Sequence, residues 1–380
     1  MILKALKYSS SWLGDWSIVS GTTNDEFVQF ENINLIVGRN ASGKTRLINA
    51  LRWLSDLLDA DARIEAWENE MTSFQLIFED NQNNIRYIVE HGGSESIMNE
   101  ELFINGIKKL DRKTGKLFYE KLGQFLDFET NNYFLAIHRR DNIQQPFFEN
   151  LHNWGKTLAH FSFGSNMGKG IIPSLDKEFE DSINFKDGNE IKKVYQKAIQ
   201  QFEDTFEQTV INDMKIIDYD LTSIFLASAS KYSFLIVKES DLPNETYFEQ
   251  MSQGMARAFS LIVQLNYSLM AKIPSCILID DIGEGLDYDR SKKLIELIIE
   301  KAEGSNIQVF MTTNDRFVMN SVPLKYWSVI HREGNKSVFY NYQNSKQTFD
   351  DFAFTGLNNF DFFATEFYRQ GFEEFIATAQ

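Results

Sequence analysis

The chain has 380 residues, 43% hydrophobic and 14% aromatic, enough for a sizeable core and about two domains. Its net charge of −16 argues against broad, non-specific affinity for nucleic acid. The one cysteine, Cys276, sits in an apolar run, which excludes a disulfide framework and points to a reducing cytoplasm. The N-terminus is too polar for a signal peptide, and the longest apolar stretch, Phe259 to Ala271, is broken by Gln264, Asn266 and Ser268, so no membrane span is expected.

Taken in order, residues 1 to 37 read as strands separated by Gly21 and an Asn24-Asp25 turn, with Trp16 expected in the core or, less favoured, on an adenine. IVGRNASGKTRLINAL follows, Ile36 to Leu51: strand, glycine-rich turn, amphipathic helix. Gly38, Gly43, Lys44 and Thr45 fill the G-x-x-x-x-G-K-[ST] pattern of a phosphate-binding loop. Glycines let successive N–H groups face an anion, and the helix start adds its positive end. The expected nucleotide-binding residues are Gly38, Arg39, Asn40, Ala41, Ser42, Gly43, Lys44, Thr45 and Arg46. Lys44 is the phosphate cation and the Thr45 hydroxyl a Mg²⁺ ligand.

FQLIFED and IRYIVEHGG predict a hairpin, and ELFINGIKKL a second one at Asn105-Gly106. LFYEKLGQFLDF, Leu117 to Phe128, has helical period, and NYFLAIHRR, Asn132 to Arg140, reads as a buried strand. The basic cluster His138 to Asp141 is expected to be a solvated loop. After it, Gln144 or Gln145 is placed to offer a side-chain carbonyl to Mg²⁺. Phe163 to Pro173 imitates a second phosphate loop but fails its spacing. Residues 175 to 209 read as charged helix, and KIIDYDL and YSFLIVKES as paired strands.

A long helix opens at Met251-Ser252-Gln253-Gly254-Met255, where a serine and bare amides make a possible anion site. SCILIDD is a buried strand ending in carboxylates: Asp280 is placed to hold Mg²⁺, and Asp281 to orient or deprotonate water. Glu284-Gly-Leu-Asp287 turns into the next helix, and the Asp287-x-Asp289 pair only superficially resembles a metal motif. IQVFMTTND is a further strand with polar Thr312 to Asp315 at its end. The Phe-rich tail from Phe349 either packs on its own head or docks a partner.

This order of motifs resembles the ABC-type ATPase head, in particular the RecF, SMC and OLD-like heads of prokaryotic genome-maintenance and anti-phage defence ATPases. The resemblance implies an α/β P-loop NTPase with a mixed sheet, an antiparallel β lobe and a helical insertion. It divides the chain into an ATPase lobe (1–135), an insertion lobe (136–240), a segment completing the core (241–345) and the Phe-rich tail (346–380). It implies ATP and Mg²⁺ as cofactors and a homodimer, or higher oligomer, with ATP sandwiched between one copy's Lys44 and the other's Ser252 and Gly254. Two positions depart from the pattern: Asp281 replaces the family's catalytic Glu, and Asn314 stands where the switch His is usual. Slow hydrolysis is the expected consequence. The implied role is an ATP-dependent switch for a separately encoded nuclease or toxin in the cytoplasm; a DNA-clamping repair ATPase is the alternative.

Overall fold

The computed structural model describes residues 1–11, 14–22, 27–59, 71–80, 83–92, 95–164, 183–229 and 232–378. Two compact units emerge: residues 1–157 with 323–380, and residues 158–322. The imitation phosphate loop beyond residue 164, and residues 175–182 of the charged stretch, lie outside the described residues.

The first unit begins with β1 (Ile2–Ser10), β2 (Trp16–Ser20), β3 (Val28–Gln29) and β4 (Ile33–Gly38), followed by α1 (Lys44–Asp59). β5 (Met71–Asp80) and β6 (Asn83–Gly92) form the expected hairpin, burying Phe74, Leu76 and Phe78 opposite Ile85, Tyr87 and Val89 at the period of two a one-sided sheet requires. β7 (Glu95–Ile104) and β8 (Ile107–Asp111) form the second hairpin, and Asn105 and Gly106 both take positive φ in its turn.

Two local expectations are overturned. Residues 117–128 are not helical: β9 (Lys116–Tyr119) and β10 (Gln124–Asp127) form a hairpin with Phe118 opposite Phe125, rings 5.2 Å apart. Lys109 lies 3.8 Å over Phe118, so the apolar residues serve a cross-strand cluster. Residues 132–140 are not a strand, because side chains take up their backbone groups. Buried Glu100 accepts from the Ala136 N–H and from Tyr87 Oη at 2.6 Å, while Arg112, paired to Glu100 at 2.9 Å, donates to the carbonyls of Asn131 and Phe134. The chain therefore turns through a 3-10 segment, Ala136–Arg139, with Leu135 to Ile137 buried. In the basic cluster Arg139 and Arg140 are exposed, but the His138 ring bonds the Leu57 carbonyl. α2 (Phe147–Thr157) then packs on α1, close enough that a Cβ on Gly155 would lie 2.7 Å from Leu58 Cβ.

The second unit holds β11 (Ala159–Ser162), α3 (Ile191–Phe202), α4 (Asp204–Ile216), β12 (Leu221–Ala229), β13 (Tyr232–Glu239), β14 (Thr246–Tyr247), α5 (Gln253–Met270), β15 (Ser275–Asp280), α6 (Tyr288–Ala302), β16 (Ile307–Thr313) and α7 (Arg316–Ser321). β11, β15 and β16 run parallel with β15 central, and β12, β13 and β14 form an antiparallel sheet. Lys215 and Ile216 finish α4, so the expected strand starts only at Leu221. α5 is buried from Gly254 to Ser268, and its polar residues are paired: Asn266 donates to Asp213 at 2.6 Å and accepts from Lys301 at 3.0 Å. Among the described residues no helix is long and apolar enough to cross a membrane. Burial pushes the Cys276 thiol up, which makes it inert as a nucleophile.

The chain returns to the first unit with β17 (Trp327–Glu333), β18 (Lys336–Asn341), α8 (Lys346–Ala353), α9 (Asn359–Ala364) and α10 (Phe367–Thr378). β17 pairs in parallel with β4 and β18 with β2, giving the order β10-β9-β8-β7-β6-β5-β1-β2-β18-β17-β4, with β3 also on β1. The tail packs on its own unit: Phe349, Phe352 and Phe367 are buried around Phe362, which meets Trp327 edge-on, whereas Phe354 is 84% exposed.

His331 on β17 fixes α10. Its Nε2 accepts from Arg369 at 3.1 Å, which assigns the proton to Nδ1 for donation to Tyr368 Oη at 3.1 Å. Burial first, then the charges of Arg369 and Arg39, hold His331 below its ordinary value, against an opposite pull from Glu366 and Glu333. The unfolded chain thus takes up a proton that the folded ring resists, so this contribution is full above the unfolded pKa of about 6.5 and is lost as pH falls below it. Melting temperatures measured at pH 7.5 and 5.5 should therefore differ less in His331→Gln than in the wild type; an unchanged difference would refute this assignment.

Candidate functional site

The phosphate loop is β4, a five-residue turn and the first turn of α1. β4 is buried throughout, and α1 buries Leu47, Ile48, Leu51, Leu54 and Leu58 on one stripe, so the loop hangs between two fixed elements. Ala41 takes φ 62° and Gly43 φ 112°. A Cβ on Gly43 would overlap Ser337 Oγ, and one on Gly38 would lie 2.5 Å from Ser42 Oγ and 2.9 Å from the Ile330 carbonyl. Lys44 is 7% exposed, and its Nζ donates to the carbonyls of Gly38 at 2.7 Å and Arg39 at 3.3 Å, which holds the ammonium within the turn. Ser42 Oγ is buried with no hydrogen-bond partner among the described residues. A concave turn with a captive cation and an orphaned hydroxyl fits a phosphate chain.

Ser337, on β18, was not visible as a functional residue in the sequence. Its Oγ donates to the Ser42 carbonyl at 2.7 Å and accepts from Trp16 Nε1 at 3.0 Å. Trp16 is 2% exposed, so it is a core residue bracing the loop, with Arg46 5.4 Å over its ring. Arg332 donates to the Ala41 carbonyl at 3.2 Å, and Arg39 pairs with Glu366 at 2.9 Å. Thr45, Asn40 and Arg39 are exposed along the loop.

Of the two candidate glutamines, Gln145 is buried and Gln144 only partly so. The Gln144 backbone is fixed at both ends, its N–H donating to Asp141 Oδ1 at 2.9 Å and its carbonyl accepting from Glu120 N–H at 2.9 Å. The Gln144 side-chain Oε1 is buried without a partner among the described residues. An orphaned buried acceptor of this kind suits a hard cation.

The second unit gathers the acidic residues. Asp280 ends β15 nine-tenths buried, and Thr312 at the end of β16 donates its hydroxyl to Asp280 Oδ1 at 2.5 Å while accepting the Asp281 N–H at 2.9 Å. One hydroxyl therefore sets both acids. Asp281 has φ 58°, a left-handed conformation that costs a non-glycine residue about 1 kcal/mol or more. The turn aims its carboxylate toward Gly164, where a Cβ would lie 3.4 Å from Asp281 Oδ2 and 3.2 Å from Glu284 Oε2. Glu284 is exposed, yet its carboxylate approaches the same point. Asn314 follows β16 on the surface, and Asp315 caps α7. Asp287 caps α6 through the Arg290 N–H at 3.0 Å and pairs with the Arg290 guanidinium. Among the described residues no three His, Cys, Asp or Glu side chains cluster to hold a metal.

At the start of α5, Ser252 accepts from the Met255 N–H at 3.3 Å as a conventional N-cap. Gly254 allows a close approach, since a Cβ there would overlap the Gly285 carbonyl, and buried Arg257 donates to the Glu284 carbonyl at 2.7 Å. The helix start is thus locked to the turn that follows Asp281. Beside Ser252 lies a cavity of about 440 Å³ bordered by Tyr219, Arg290 and the carboxylates of Asp218, Asp220, Glu239 and Asp241. Two of these acids are paired, Asp218 with Lys293 at 2.5 Å and Asp220 with Lys215 at 3.2 Å.

The fold is that of SMC head domains. The SmcHead bound to the C-winged helix domain of ScpA is 12% identical, with a TM-score of 0.55 over 89% of this chain and 97% of that one. The Smc head domain with an extended coiled coil, bound to the C-terminal domain of ScpA derived from Pyrococcus furiosus, is 13% identical, with a TM-score of 0.54 over 93% and 99%. A comparison with curated proteins finds no match. The family described as "AAA domain, putative AbiEii toxin, Type IV TA system" matches residues 33–320, and the chain belongs to that family.

Proposed function

We propose that the protein binds ATP with Mg²⁺, hydrolyses it slowly, and uses nucleotide-dependent pairing of two copies to hold or release a separately encoded nuclease or toxin in cytoplasmic defence against phage. The observation that carries the nucleotide reading is the captive Lys44 ammonium inside a turn whose glycines admit no Cβ. The toxin-antitoxin wording of the family supports the defence context.

In this reading Lys44 neutralises phosphate charge, and the loop amides from Arg39 to Thr45 and the Ser42 hydroxyl orient the phosphates, with Arg46 beside them. Thr45, Asp280 and Gln144 would hold Mg²⁺, an ion that keeps few protein ligands and needs no acidic cluster. Asp281 orients the attacking water and accepts its proton, with Asn314 nearby in sequence as a polar sensor of the phosphate. Asp281 is one methylene shorter than Glu and Asn314 cannot titrate, so water activation is weak. Ser252 and Gly254 of one copy contact the phosphates bound by the other, the helix start supplying the positive end of its dipole.

Turnover should be below about 1 per second, and Asp281→Asn should lower it by about 100-fold or more. Rates of hundreds per second, or an unaffected Asp281→Asn, would overturn the catalytic assignment. In solution, ATP with Mg²⁺ should double the particle mass, and Lys44→Ala and Ser252→Arg should each abolish that change; assembly indifferent to nucleotide and to both variants would exclude the sandwich. Ser337→Ala leaves the Ser42 carbonyl and Trp16 N–H without their partner, so the Kd for ATP should rise about five-fold, equivalent to one buried hydrogen bond. Calorimetric titration reads this directly, and unchanged affinity would reduce Ser337 to a packing residue.

A further inference from the structure

Three residues of the phosphate loop are gripped by the C-terminal segment of the chain. Ser337 holds Ser42, Arg332 holds the Ala41 carbonyl, and Glu366 holds Arg39. The first contact is buried and neutral. The third is a charge pair at the loop's outer rim, with the Arg39 side chain 71% exposed and that of Glu366 22% exposed. Glu366 occupies the turn between α9 and α10 at φ 55°. Its position is set by the buried side chains on both sides, Phe362, Phe367 and Tyr368. Its second oxygen accepts from Arg369 at 3.2 Å, and Arg369 in turn donates to His331. The carboxylate is therefore presented to the loop by a packed scaffold rather than by a mobile end.

A carboxylate at this place opposes a polyphosphate twice. It occupies the guanidinium that directly follows Gly38, and it adds negative charge beside the turn built to receive anions. We propose that Glu366 is an affinity gate on the nucleotide loop: it competes with the phosphate chain for Arg39, and nucleotide binding transfers Arg39 from Glu366 to phosphate. The C-terminal helices then report nucleotide occupancy, because each bound nucleotide breaks the ion pair that ties Glu366 to Arg39. This gate rests on the nucleotide-binding reading given above.

The test is calorimetric titration of the full chain with Mg-ATP and, separately, Mg-ADP. Glu366→Gln keeps the side-chain shape and removes the charge, and should lower the Kd about two- to five-fold, the scale of a half-exposed ion pair. In an Arg39→Ala background the same substitution should change the Kd less than two-fold. Unchanged or weakened binding by Glu366→Gln, or equal tightening with and without Arg39, would overturn the gate. Glu366→Ala serves as the second variant should the first fold poorly, with the same expectations. Lys44→Ala separates the two levels: nucleotide bound by the wild type and lost in Lys44→Ala, with Glu366→Gln and Glu366→Ala no tighter than wild type, sinks the gate alone. No binding by the wild type sinks the nucleotide reading and the gate together.

Discussion

A lysine ammonium that is nine-tenths buried needs fixed oxygen atoms around it, and in this chain the turn it must serve supplies them. The carbonyls of Gly38 and Arg39 hold Nζ of Lys44 within the loop. That arrangement demands glycine at 38 and 43, a buried strand on one side and an amphipathic helix on the other. It also demands an outside brace, since a turn with positive φ at two residues does not hold its shape alone. Ser337, Trp16 and Arg332 provide the brace.

In the second unit the acidic turn is built by the same device with different atoms. Strain at Asp281 is maintained because the Thr312 hydroxyl takes its N–H and, with the same oxygen, donates to Asp280. The Ile282 N–H bonds the Thr312 carbonyl at 2.9 Å, and Arg257 holds the Glu284 carbonyl from α5. The turn carrying Asp281 is thus clamped by the strand beside it and by the helix that begins at Ser252. The start of that helix and the acidic turn are therefore one packed assembly, tied through the Arg257 hydrogen bond and the close approach of Gly254 to Gly285.

Much of this was legible in the sequence because glycine, lysine and aspartate carry strong positional signals. The phosphate loop follows from the spacing of four residues, the β5–β6 hairpin from alternation, and the start of α5 from Ser252 ahead of an apolar run. Two of the misread stretches fail for opposite reasons. Residues 117–128 carry apolar positions that fit a helix and a hairpin equally, and only the pairing of Phe118 with Phe125 decides. Residues 132–140 look like a strand, but Glu100 and Arg112, distant in sequence, claim their backbone groups. Ser337 left no signal, since a serine in a strand acquires meaning only from what lies across it. Thr312 was half visible as the end of a strand, without its partner.

The braces also bind the fate of the loop to the last sixty residues. β4 pairs in register with β17, Leu35 to Trp327 and Gly38 to Ile330, and β18 pairs with β2. The contact joining Ser42 to Ser337 closes a separation of 295 residues, a loop-closure cost that the strand pairing shares. Linkage makes the relation reciprocal: whatever binds the finished loop stabilises the docked segment by the same free energy that docking contributes to binding. Whatever occupies the N-terminal loop is in this sense a ligand of the C-terminal helices too, and the Arg39–Glu366 ion pair lies on the line between them.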